Sequence, residues 1–229
     1  MTINGRAESN LHVATAQQEV YLFLREQIFS GELKAGTRLN PADIASALGV
    51  SRMPVREAFR QLDSEGFIRI RPNRGAVVMI LTPEDVEEIF LIRTALEVLA
   101  LRLAMPRFGA TGIAEVDSLR QHMDLAHDDP KLWVKRHDQF HDTICSYSGR
   151  PRLTAEIKRF RTLIHPYMMQ YHLEVHRTPE MAGHEHTTIV VAIKSGNIAL
   201  AELSMREHIM SAAQAVIQFL GNEKQKARQ

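Results

Sequence analysis

Residues 41–78 read PADIASALGVSRMPVREAFRQLDSEGFIRIRPNRGAVV. Ala42 to Leu48 carries Ile44, Ala45 and Leu48 at i, i+1 and i+4, the spacing of a short amphipathic helix, and Gly49 then stops it as a left-handed residue can. Ser51 is the expected N-cap of a second helix, with Pro54 in its first turn, where a missing N–H costs little. That helix sets Val55, Ala58, Phe59 and Leu62 on one face and Arg52, Arg56 and Arg60 on another, four residues apart, so the guanidiniums stack in one stripe. After Gly66, the run Phe67 to Arg71 alternates apolar and basic residues as a half-buried strand does. Pro72 to Gly75 then makes a turn and Ala76 to Ile80 returns. Helix, turn, arginine-bearing helix and basic hairpin are the layout of a winged helix-turn-helix, which lays its second helix in the major groove of DNA, with Arg74 at the wing tip.

Charge supports this layout. Residues 51–80 hold six arginines against three acidic residues, Glu57, Asp63 and Glu65, whereas the whole chain of 229 residues is only +1. The excess is focused where a polyanion would lie.

Around that segment the composition is ordinary globular usage, 45% hydrophobic and 24% charged, with room for two domains. Residues 1–14 are expected to be flexible, 15–80 to form the winged domain, 81–221 a second domain and 222–229 a flexible tail, with a hinge near Leu81. A helix is expected from Thr15 to Ser30, carrying Val20, Leu24 and Ile28 on one face. From Pro83, a first helical position after the cap Thr82, the pattern is almost wholly helical: six helices and no strands. Breaks are expected at Pro106 to Gly112, His127 to Pro130, Gly149 to Pro151, Thr178 to Gly183 and Gly196. No apolar stretch approaches the roughly 20 residues of a membrane helix, and Met1 to Asn10 has no signal-peptide core, so a cytoplasmic, nucleoid-associated location is expected. The single cysteine, Cys145, reads as a small core residue.

Ten of the eleven histidines follow residue 120, and four fall on helix faces that ought to be apolar. On the helix Lys131 to Ser148, His137 and His141 share a face with Trp133, Val134, Ile144 and Cys145, one turn apart, a spacing that lets two imidazoles bind one ion. His186 projects with Ile189, Val190 and Ile193. His208 shares its stripe with the small residues Ala201, Ser204, Ser211 and Ala212, which leave room beside it. Burying four unpaired imidazoles without a shared partner is costly, which points to a divalent metal. On the helix Pro83 to Met105, Arg93 shares its stripe with Val86, Ile89, Leu96 and Ala100. It needs a buried partner: either Glu97, one turn on, or an anion. His165, His172 and His176 form a competing set, read as surface or pocket rim.

The run GVSRMPVREAFRQLDSEGFI, residues 49–68, resembles the DNA-binding domain of the GntR family of bacterial transcriptional regulators. From about residue 15 onward the chain is similar to its FadR-like subgroup with an FCD effector domain. The resemblance implies that Ser51, Arg52, Met53, Pro54 and Arg56 lie at the DNA-contacting start of the recognition helix and that Gly75 is the wing glycine. Ala42 stands where several relatives carry a DNA-contacting arginine, so that contact is lost or taken over by Arg38. It also implies a ligand set of Asp and His on one helix and two later histidines. His141, His186 and His208 match, and His137 stands at the Asp position, with Asp138 the alternative fourth ligand. Four imidazoles favour zinc, with nickel or another imidazole-tolerant ion as alternatives. By the same resemblance Arg93 holds a carboxylate effector beside the metal.

The expected molecule is mainly α-helical, a winged helix-turn-helix joined to an antiparallel helical bundle. It is a repressor-type, homodimeric regulator that reads a palindromic operator and answers to a metal-bound organic acid. The alternatives are a metal-dependent hydrolase and an architectural DNA binder without effector. The absence of an H-E-x-x-H motif, and of an inward carboxylate placed as a general base, argues against the hydrolase.

Overall fold

The computed structural model describes residues 4–226 except 73 and 175–178. Its side chains are described for residues 15–222 except 73 and 175–184. The chain separates into two compact units, Met1–Ile80 and Leu81–Gln229.

The first unit opens with α1 (Asn4–Phe29), which begins before the expected Thr15 and ends one residue before the expected Ser30. β1 (Arg38–Leu39) follows, then α2 (Pro41–Leu48) and α3 (Arg52–Ser64). Asn40 caps α2 by accepting from the Ala42 amide, and Gly49 closes it at φ +65°, donating its own amide back to the helix. β2 (Ile68–Arg71) and β3 (Gly75–Val78) form the wing. The sheet is antiparallel in the order β1-β3-β2, with Arg38 opposite Val77 and Arg71 opposite Gly75. β1 was not foreseen, because two residues carry no periodicity. Val20, Leu24 and Ile28 of α1 meet Val55, Ala58, Phe59 and Leu62 of α3 and the inner faces of β2 and β3 in one apolar core. That core is what fixes the angle of α3.

The second unit, among the described residues, has six α-helices and no strand: α4 (Pro83–Ala104), α5 (Ala110–Asp124), α6 (Pro130–Ser146), α7 (Pro151–Glu174), α8 (Pro179–Ser195) and α9 (Ile198–Lys226). A single 3₁₀ turn, Met105–Arg107, follows α4. Thr82 and Asp85 form a reciprocal capping box at the start of α4, and Asp129 caps α6 ahead of Pro130. Three glycines at expected breaks or domain ends, Gly112, Gly183 and Gly221, lie inside helices. Gly112 belongs to α5 because a Cβ there would meet the Tyr147 ring at 2.8 Å, so the glycine serves close packing rather than termination. Gly221 belongs to α9, which continues to Lys226 through the expected flexible tail. Of the break expected at Thr178 to Gly183, Thr178 lies outside the described residues and Pro179 to Gly183 are helical. Phe90, Leu101, Phe140, Ile144, Ile164, Ile189, Met205 and Val216 fill the bundle core. No helix among the described residues is long and apolar enough to cross a membrane.

Candidate metal centre and nucleic-acid interface

In the first unit, arginine converges from three elements. Arg38 of β1, Arg52, Arg56 and Arg60 of α3, and Arg71 and Arg74 of the wing line one groove together with Asn40 and Ala42. All six are exposed, and Arg60 also pairs with Glu57. Arg38 thus lines the same groove as Ala42. Ser51 has the extended backbone of an N-cap (φ −74°, ψ 165°) but makes no side-chain capping bond, and Met53 next to it is 62% exposed. Pro54, in the first turn of α3, is buried and is not among the residues that line the groove. Gly75 has φ +78°, and a Cβ there would lie 2.2 Å from the Leu39 carbonyl oxygen, so only glycine lets β3 start this close to β1.

In the second unit, α6 contributes His137 and His141, α8 His186 and α9 His208, all buried. Each offers a ring nitrogen, and these four atoms lie within 4.8 Å of one another. Nε2 of His141 is 3.2 Å from Nε2 of His208. His137 stacks on Trp133, ring centroids 5.0 Å apart. A narrow cavity of about 20 Å³ adjoins them, walled by Arg93, Trp133, His137, Asp138, Arg161, His165 and His208. Burial, reinforced by His141, pushes His137 down to about 3. Burial pushes His141 down to about 4 against the pull of Glu97. Both rings are therefore neutral near pH 7 and have lone pairs to offer a cation.

Asp138 is outside this converging set. It is half-buried and approaches His165, another residue of the cavity wall, at 3.3 Å. His172 is half-buried and packs its ring 4.4 Å from Trp133, while His176 lies outside the described residues.

Arg93 has found the intrachain partner. Its Nε donates to Glu97 at 3.1 Å, and both side chains are buried. Burial opposes the charge on Glu97, but Arg93 and Arg161 hold its carboxyl well below the usual range. Glu97 accepts from Nδ1 of His141 at 3.1 Å, and Glu185 accepts from Nδ1 of His208 at 2.9 Å. Arg161 of α7 was not among the expected site residues. It is 6% exposed and donates to the Asp138 carbonyl and to Asp142, yet its buried Nε has no hydrogen-bond partner. Its signal was faint, one arginine among several on a basic helix. Cys145 is fully buried and its thiol is pushed up by that burial, as suits a core residue.

Comparison with known proteins agrees with both units. The model for bacterial regulatory proteins of the gntR family matches residues 16–78, and the FCD domain model matches residues 88–211. The chain is 28% identical over 194 residues to the HTH-type transcriptional regulator YdhC of Bacillus subtilis, covering 83% of this chain and 86% of that one. It is 27% identical over 211 residues to the HTH-type transcriptional repressor RspR of Escherichia coli, covering 88% and 89%. In fold it is similar to E. coli McbR/YncC, with a TM-score of 0.75 at 22% identity over 90% of this chain and 98% of that one. An N-terminal winged helix, a C-terminal helical domain and relatives that are regulators rather than enzymes place the chain in the GntR family of DNA-binding transcriptional regulators, with an FCD domain.

Proposed function

We propose that this regulator is a homodimeric repressor that reads a palindromic operator through Arg52, Arg56 and Ser51 of α3, with Arg38, Arg74 and Gly75 shaping contacts at the wing. Its grip is controlled by a small organic acid bound with a divalent metal, zinc foremost, in the helical domain. The observation that carries the DNA reading is the convergence of six arginines from β1, α3 and the wing on one groove. Guanidiniums there meet phosphates and guanine edges at once. A two-fold operator demands two copies of α3, hence the homodimer.

Support for the effector site comes from the side chains around the cavity, not from its volume of about 20 Å³, which admits only a water-sized group. His137, His141, His186 and His208 fit a metal because four imidazole donors converge with no carboxylate among them, a set suited to zinc or nickel. When bound, the ion supplies a Lewis-acidic anchor for a carboxylate. Arg93 and Arg161 wall the same cavity, and a buried guanidinium N–H without a partner favours an arriving anion. Effector binding shifts the bundle between arrangements, and the chain near Leu81 passes the change to the separation of the two recognition helices.

The test is to incubate the purified protein with fragments of its own genome at moderate salt, with and without chelator, and to sequence what is retained. A single enriched palindrome whose retention changes with chelator supports the whole proposal. Enrichment indifferent to metal and to organic acids leaves a DNA binder without effector control, and no enrichment overturns the operator reading.

A further inference from the structure

Two polar contacts to the histidine cluster come from carboxylates outside it. Glu97 of α4 takes Nδ1 of His141 at 3.1 Å, and Glu185 of α8 takes Nδ1 of His208 at 2.9 Å. An ionised carboxylate can only accept, so each ring must carry its proton on Nδ1. With Nδ1 of each ring turned to a carboxylate, Nε2 is the atom left to face inward, and the two Nε2 atoms stand 3.2 Å apart. A cation between them suits that spacing: ligands at ~2.0–2.1 Å from a tetrahedral zinc stand ~3.4 Å apart.

We propose that Glu97 and Glu185 are the outer carboxylate shell of a divalent-cation site, orienting His141 and His208 through Nδ1 so that their Nε2 atoms converge on one ion. The proposal rests on the metal reading given above. Four imidazoles bring no charge to a doubly charged ion, and the missing negative charge is supplied one layer further out. Glu97 is fully buried and held by Arg93, so it cannot turn away. Each carboxylate also ties two helices together, α4 to α6 and α8 to α9, which fixes the ring positions across the bundle. His137 is oriented differently, by stacking on Trp133. Glu97 and Glu185 are positioning residues in this scheme, since neither touches the ion.

The test uses the full chain and zinc alone. Long-range proton–nitrogen NMR of the metal-free protein, with ring signals assigned through His141→Gln and His208→Gln, reads the tautomers directly. Both rings are expected to be Nδ1–H, and an Nε2–H form at either overturns the proposal. Zinc affinity by chelator competition is expected to fall 10–100-fold in Glu97→Gln and in Glu185→Gln. It is expected to stay unchanged in Glu202→Gln, which removes a half-buried carboxylate paired with Arg102. Should Glu97→Gln fail to fold by circular dichroism, Glu185→Gln, whose side chain is 26% exposed, decides the question. Wild type that binds zinc while Glu185→Gln binds it equally well overturns the proposal and leaves the metal reading standing. Wild type that binds no zinc overturns both.

Discussion

Arginine is gathered in both units and treated in opposite ways. In the groove of the first unit, Arg38, Arg52, Arg56, Arg71 and Arg74 are exposed and point their charge at solvent. In the helical unit, Arg93 and Arg161 are sealed among Glu97, Asp138 and Asp142. Exposed guanidiniums lose little by waiting in water for a polyanion, and what they gain on binding is screened by salt. Sealed ones must be matched within the chain, and matching them orders everything they touch. The same residue type thus supplies adjustable affinity in one place and fixed geometry in the other.

The sharpest way to break this contrast is to remove a partner inside. Glu97→Ala leaves Arg93 buried without its carboxylate and should cost about 3–5 kcal/mol of stability in urea unfolding, confined to the helical unit. A loss below 1 kcal/mol would mean that the pair is not sealed.

Acid should act on the same unit next. The folded pKa values of His137 and His141, about 3 and about 4, lie below the ordinary 6.5. A depressed pKa means the unfolded chain binds more protons. Stability of the metal-free protein is therefore full above about pH 6.5 and falls as pH drops toward 4 and then 3, by on the order of a few kcal/mol. His137→Gln should flatten that profile, and a profile unchanged by the substitution would contradict the assignment.

Outside, the effects should be smaller and of a different kind. Arg52→Ala is expected to cost about 1–3 kcal/mol at the operator if Arg52 reads a base, measured by titration against operator and random DNA. An equal loss on both would make it a phosphate contact. Least of all, Arg74→Ala should lower the salt slope of operator affinity by about one unit and leave unfolding in urea unaltered.

Much of the winged domain was legible because its signals are local. Gly49, Ser51 and the four-residue arginine spacing each act within one or two turns, and the capping box at Thr82 is equally local. The exceptions are instructive. Pro54 shares the signature of the DNA-contacting turn but is itself buried in the first turn of α3. Gly112 looked like a stop and is a contact with Tyr147, 35 positions away. In the helical domain, periodicity turned four histidines inward on three helices, but the partners of those histidines were out of reach. Glu97 meets His141 and Glu185 meets His208 only after α4 docks on α6 and α8 on α9. Arg161 was hidden for the same reason, since its partners Asp138 and Asp142 sit on another helix.

Trp133 is the only tryptophan of the chain, and its ring lies 5.0 Å from His137, 4.4 Å from His172 and 6.2 Å from His186. An indole so placed is a built-in optical gauge. Its ultraviolet emission should respond to any ion or acid that enters the cavity, so occupancy can be followed without a label while the DNA-binding unit, which has no tryptophan, stays dark.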